Sequence, residues 1–238
     1  MTRSTVKETT IELSGRRVPV RLTRNVRARR IILRVDGHGS GGDGVTVTLP
    51  RNAAQREGLK LVMDKADWVL ERLAELTPRV TFADGAVVPL SGVDHLIRHV
   101  PGIRGGVWRD GAEIFVTGGL EHLARRLKDW FRAEARRHIS PRVRDKAAAL
   151  GRAAGRITIR DTKSRWGSCS QDGNLSFCWR LVMAPEGVLD YVVAHEVAHL
   201  AEPNHGTEFW RAVRGLTEDV EGSQEWLRRN GEGLHRFG

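Results

Sequence analysis

The run His195-Glu196-Val197-Ala198-His199 places two imidazoles four residues apart with a carboxylate between them. On an α-helix, residues at i and i+4 lie one turn above each other, so both rings can address one point and share a zinc ion. Glu196 is angularly offset from that pair. It is poorly placed as a ligand but well placed to reach a water on the metal, which is the general-base role this spacing implies. The neighbours Val192, Val193, Val197, Ala198 and Leu200 are apolar, so the segment predicts a mostly buried helix. Two histidines and a glutamate are costly there unless something satisfies them. Pro203 cannot extend a helix interior and biases Glu202 away from the α region, so the helix should stop near Ala201 and the chain can turn back. The turn would return His205, six positions after His199, to the metal. Glu218 and Glu221, from a later helix, are the rival third ligands. Three neutral imidazoles with one open position make a catalytic arrangement, not a closed structural one.

The elements that must hold this constellation read as an α+β chain of 238 residues, long enough for one full-sized domain or two small ones. Short β-branched runs at 10–13, 18–22, 31–35 and 45–49 alternate with turn chemistry and predict an antiparallel sheet. Glycines 37, 39, 41, 42 and 44 fall between two strands, with no Gly-Lys-Ser/Thr after them, and predict a hairpin loop. Helical spacing from Leu59 to Leu76 predicts one long helix ended by Pro78. A second β region follows at 79–82, 87–90, 95–100 and 113–116. Helical spacing then resumes from Leu120 to Ile139, with a kink or a fresh helix at Ser140-Pro141. The change of character near Leu120 suggests a β-rich region with one long helix over 1–118 and a more helical domain over 119–238.

Composition narrows the function classes. Lys and Arg total 39 against 29 Asp and Glu, a formal charge of +10, so an anionic surface such as nucleic acid is a plausible partner. Arginines 125, 126, 132, 136, 137, 142 and 144 stud the predicted helix after 120 and are the candidate contacts. No apolar run approaches the roughly 20 residues of a membrane helix, and the first eight residues lack the apolar core of a signal peptide. The expectation is a cytoplasmic protein with no membrane contact. Two cysteines, Cys169 and Cys178, are too few for a disulfide framework and read as free thiols. Arg165–Ser170 and Asn174–Trp179 flank the turn signal Asp172-Gly173 and predict a hairpin. Its edge is the place for an extended peptide. Trp166, Gly167 and Ser168 on that arm, and Tyr191 one turn before His195, are candidate substrate contacts, as are Lys163 and Arg165. His38, His95, His99, His122, His138 and His235 have no partner at ligand spacing and are expected at the surface.

Three blocks carry a family resemblance: Arg165-Trp166-Gly167-Ser168-Cys169-Ser170 with Asn174-Leu175, the segment Leu189–Leu200, and Asn204-His205-Gly206 with Phe209-Trp210. In this order they resemble the YgjP-like metallopeptidases, relatives of the SprT-like and WLM zinc peptidases. The resemblance covers about 120–238 and extends more weakly into the β-rich first half. It implies a minimal zincin-like domain with the His-Glu-x-x-His motif on its active-site helix and a small sheet. It also implies Zn2+ on His195, His199 and His205, Glu196 as catalytic base, and a peptide or protein substrate. Val197 stands where the family often has Leu, a mild change at an apolar position. The alternative reading, from the charge and the DNA-linked relatives, is a module in which nucleic acid recruits or regulates the metal site.

Overall fold

The computed structural model describes residues 6–39, 42–75, 78–103 and 105–238. Two compact units, Met1–Arg79 and Val80–Gly238, divide the chain. The second β region therefore belongs with the helical half, and the division falls earlier than the expected one after 118.

In the first unit β1 (Val6–Leu13), β2 (Arg16–Arg24), β3 (Ile32–Gly39) and β4 (Gly42–Leu49) form a sheet of order β1-β2-β4-β3. The expected antiparallel sheet is mixed, because β2 and β4 run parallel, with Val20 opposite Val45. The second strand of each antiparallel hairpin lies innermost, so β2 and β4 run in the same direction. Alternation buries Val18, Val20, Leu22, Val45, Val47 and Leu49 on one face, where Val62, Val69 and Leu73 cover them. The single expected helix is two, α1 (Gln55–Asp64) and α2 (Ala66–Glu75), broken at Lys65 where the backbone leaves helical geometry (φ −112°, ψ 25°). Gly41, Leu76 and the turn Ser40-Gly41 lie outside the described residues, as does the side chain of His38.

The second unit opens with β5 (Val87–Leu90), β6 (Val93–Val100), β7 (Val107–Asp110) and β8 (Glu113–Thr117), in order β5-β6-β8-β7 with β6 and β8 parallel. This is the order and polarity of the first sheet. Both first hairpins turn on the same tripeptide, Leu13-Ser14-Gly15 and Leu90-Ser91-Gly92, with serine and glycine at positive φ in each. Of the expected strand at 79–82 only one bridge forms, Val80 to Phe237.

Helix α3 (Leu123–Ala149) follows a 3-10 turn at Leu120–His122 and buries Leu123, Leu127, Phe131, Ala135, Ile139, Val143 and Ala147. It runs unbroken through Pro141, in place of the expected kink or restart. The proline removes the donor to the Arg137 carbonyl, and Arg142 Nη1 donates to the neighbouring His138 carbonyl at 3.0 Å. A three-stranded sheet follows, β9 (Ile157–Arg160), β10 (Gly167–Cys169) and β11 (Leu175–Cys178), with β11 central and β10 at an edge. A 3-10 segment, Trp179–Met183, leads into α4 (Glu186–Ala198), then α5 (Thr207–Leu216) and α6 (Val220–Leu234).

Helix α4 is held from several sides. Ser91 N–H donates to Val182 O at 2.8 Å and Gly92 N–H to Met183 O at 3.0 Å, seating the β5–β6 turn against the helix start. A Cβ on Gly92 would lie 3.0 Å from the Pro185 ring at that start. Asp190, on the helix itself, accepts from Lys146 Nζ at 2.9 Å and Thr217 Oγ1 at 2.8 Å, joining α3, α4 and the loop after α5. Of the six histidines expected at the surface, His95 is buried, 3% exposed, with Nδ1 2.7 Å from Val93 O, because it occupies an inward position of β6.

Candidate metal centre and its cleft

His195 lies in the last turn of α4 and His199 caps its C-terminus, while Pro203 ends the helix and the turn through Gly206 brings His205 back. One ligand atom from each of the three rings lies within 4.8 Å of the others. His195 Nε2 and His205 Nε2 stand 3.2 Å apart. Two imidazole nitrogens each about 2.05 Å from a tetrahedral ion would be about 3.3 Å apart, so the donor spacing fits a bound cation. His199 Nδ1 lies 3.1 Å from the Glu202 carbonyl, a hydrogen bond that fixes the ring and leaves Nε2 free as a ligand. His195 Nδ1 is buried without a hydrogen-bond partner. Burial, then the neighbouring His199 and His205, push His195 down to about 4, and burial also lowers His199. Both rings are thus neutral near pH 7, the form a metal requires. Glu218 and Glu221 stay outside this cluster, and Glu221 pairs with Arg214 at 2.9 Å.

Phe209 forms the floor of the cluster, its ring centroid 4.6–5.0 Å from all three imidazoles, and it is fully buried. Trp210 flanks His195 and His205 at about 6 Å. Sequence reasoning gave neither residue a role beyond a match to a pattern. Their spacing on α5 after the His205 turn is the signal that points to them.

Glu196 is 7% exposed and lines a cleft of about 910 Å³ together with His199, Gly167, Ser168, Cys169, Arg165 and Arg152. Burial raises its carboxyl to about 7 against the opposing pull of Arg165. A Cβ on Gly167 would run into the Glu196 side chain, with Oε1 only 2.6 Å away, so the carboxylate rests directly on the bare backbone of β10. Strand β10 pairs with β11 through Ser168 opposite Ser176, with Trp166 O accepting from Cys178 N–H and Ser170 N–H donating to Asn174 O. By alternation, the backbone groups of Gly167 and Cys169 point outward from this edge.

The other candidates separate. Gly167 and Ser168 line the cleft. Trp166 turns the other way, stacking on His235 at 4.9 Å and packing over Gly231 of α6, because successive strand residues face opposite sides. Tyr191 sits edge-on to His195 at 6.0 Å between ring centroids, and its hydroxyl accepts from Gln224 Nε2 at 3.0 Å. Cys169 lines the cleft as a free thiol raised by burial and by Glu196, and Cys178 is buried, donating to Thr162 O.

The YgjP-like metallopeptidase domain, as a family model, matches residues 29–230. The chain belongs to this family. Two solved structures show partial likeness to this YgjP-like chain. The metallopeptidase zymogen abylysin of Pyrococcus abyssi is 23% identical, covering 42% of this chain and 97% of its own, with a TM-score of 0.36. The metallopeptidase zymogen jannalysin of Methanocaldococcus jannaschii is also 23% identical, covering 40% and 95%, with a TM-score of 0.34. No curated protein matches the YgjP-like chain. Among its described residues no helix is long and apolar enough to cross a membrane.

Proposed function

We propose that this YgjP-like chain is a zinc-dependent peptidase with His195, His199 and His205 as ligands and Glu196 as general base. The observation that carries this reading is the convergence of three imidazoles beside a buried carboxylate at the wall of a cleft edged by a free strand. When bound, zinc supplies Lewis-acid polarisation of the scissile carbonyl and a more acidic water. An extended peptide adds to the edge of β10 through the outward backbone groups of Gly167 and Cys169, which set its carbonyl beside Glu196. The Glu196 carboxylate takes a proton from the attacking water as the new C–O bond forms, then gives it to the amide nitrogen as the C–N bond breaks. Ser168 and Arg165 line the same wall and contact the substrate alongside. The free thiols suit a cytoplasmic setting.

Metal analysis tests this directly. The purified chain should hold one zinc, and His195→Ala should lose both the metal and cleavage of an unfolded protein. It should also lose the stabilisation that a bound ion confers on the folded state. A wild-type chain that takes up no divalent cation, or a His195→Ala variant that cleaves as well as the parent, overturns the assignment.

Gly167 provides a finer test. The added methyl of Gly167→Ala must displace the Glu196 side chain, and a shift of about 1 Å in a reacting group costs about 10²-fold. We expect kcat to fall by that order with zinc content unchanged. An active Gly167→Ala chain would separate Glu196 from catalysis.

The alternative in which nucleic acid governs the metal site gains little from α3. Arg125 and Arg132 lie 3.6 and 3.7 Å from Asp129, Arg137 pairs with Glu134, and Arg142 reaches Glu186 and Asp190. Arg126 donates to Thr117 O at 2.9 Å, and Arg136 to Ile157 O at 3.4 Å. These side chains serve the fold.

A further inference from the structure

The cleft beside the three imidazoles is lined by Arg152, Arg165, Asp172 and Glu196, and these charges are spread unevenly along it. Arg152 and Asp172 share one end. Asp172 stands in the turn after β10, and the chain just beyond Arg152 packs on that turn, with Gly155 N–H donating to Gly173 O at 2.9 Å. A cation and an anion thus meet the solvent together there. Glu196 lies further along, over Gly167, turned inward and 7% exposed. The other end, before Gly167, belongs to Arg165. Two residues of chain separate it from Gly167, which limits their Cα atoms to about 7 Å. Its carbonyl accepts from Thr162 Oγ1 at 2.9 Å, and this fixes the backbone that carries the side chain. The Arg165 charge pulls on the Glu196 carboxyl, but among the described residues its guanidinium forms no ion pair and no hydrogen bond, and the residue is exposed.

We infer that Arg165 binds a carboxylate of the substrate, so that the cleft selects peptides with an acidic group within about three residues of the bond to be cut. The inference rests on the peptidase reading and specifies its substrate class. A peptide added to the edge of β10 meets bare backbone at Gly167 and passes Arg165 as it leaves that end of the edge. Two residues of extended peptide cover about 7 Å, the same span that separates Arg165 from the carboxylate resting on Gly167. The planar fork of a guanidinium matches the two oxygens of a carboxylate, so an acidic group at this point is held and a lysine is repelled. Gly167 and Ser168, the neighbouring parts of the wall, carry no charge and offer nothing to a basic residue. A Glu or Asp side chain and the terminal carboxylate of a peptide present the same pair of oxygens to Arg165.

The test uses the full chain supplied with zinc and a fluorogenic ten-residue peptide cut at a single bond, carrying Glu, Gln or Lys in turn at each position within three residues of that bond. On one side of the bond Glu should exceed Lys in kcat/KM by about five- to twenty-fold, mainly through KM, because the contact is alike in the ground and transition states. Arg165→Glu should invert this order and Arg165→Lys should keep it. Each is read as a ratio of substrates within one variant, so a general loss of turnover cancels. Anisotropy with the same peptides on the Glu196→Gln chain should show the same order of affinity without turnover. Peptides shortened on that side, with free or amidated ends, separate the two sources: a free end that replaces Glu, and fails once amidated, makes the terminal carboxylate the ligand. The inference is overturned by equal cleavage and binding of the Glu and Lys peptides, or by a preference that survives Arg165→Glu. It is also overturned if the sole effect of Arg165→Gln is a fall in kcat common to all three peptides, which would put the arginine on the reacting carbonyl. Peptides bound in the expected order but never cleaved would remove the peptidase reading and leave the carboxylate site standing.

Discussion

Glu196→Gln should lower kcat/KM for a labelled peptide by about 10²–10⁴-fold while leaving the zinc in place. The amide keeps the volume that rests on Gly167 but cannot accept and return a proton. The same substitution removes a carboxyl that burial disfavours as an anion, so thermal stability should hold or rise. Retention of zinc and stability with loss of turnover marks a residue that touches the reacting atoms. Full activity in Glu196→Gln would leave the three imidazoles as a metal site but remove the assigned base.

Arg180→Met is expected to be the most damaging change outside the cleft. Arg180 is 4% exposed, pairs with Asp161, and donates through Nη2 and Nε to the Phe237 carbonyl at 3.0 and 3.3 Å. It also lies over the Trp179 ring. Removing it leaves the Phe237 carbonyl and part of the Asp161 charge without a partner, at a cost of roughly 2–4 kcal/mol. Burial by itself would raise the Asp161 pKa, but hydrogen bonds from Lys128 and Arg180 outweigh it and hold the carboxyl far below 3.8. A depressed carboxylate stabilises the fold fully above its unfolded value and loses that contribution as pH falls through the folded value. Denaturant titrations of wild type and Asp161→Asn should therefore show their full difference down to about pH 4 and a gap that narrows progressively below it. A gap that stays constant into acid would refute the linkage.

What could be read in advance was local. The period of an α-helix fixes how His195 and His199 face, and the proline at 203 fixes where the helix ends, so their convergence needed no knowledge of the remaining chain. The hairpin at 167–178 was equally visible in Asp172-Gly173 and alternating residues. Pairing between hairpins was not, since nothing in β2 or β4 specifies a parallel neighbour. Strand β7 went unseen because Trp108-Arg109-Asp110 shows no inward row, and the unbroken course through Pro141 depends on packing along the whole of α3. The opposite facing of Trp166 and Gly167 follows from strand alternation, but which of them meets Glu196 is decided by α4 and α6. The acidic partners of the basic helix were hidden for a similar reason, as they come partly from residues distant in sequence, including Glu186 and Asp190.

The two four-stranded sheets are alike in strand order, strand direction and Leu-Ser-Gly turn. In the second sheet the turn is pinned against Pro185, so Gly92 cannot change without disturbing the start of α4. Nothing lies within 4 Å of where a Cβ would stand on Gly15 in the first sheet. Positive φ strains a side chain at either glycine, but only at Gly92 would crowding carry the damage on towards His195 and His199.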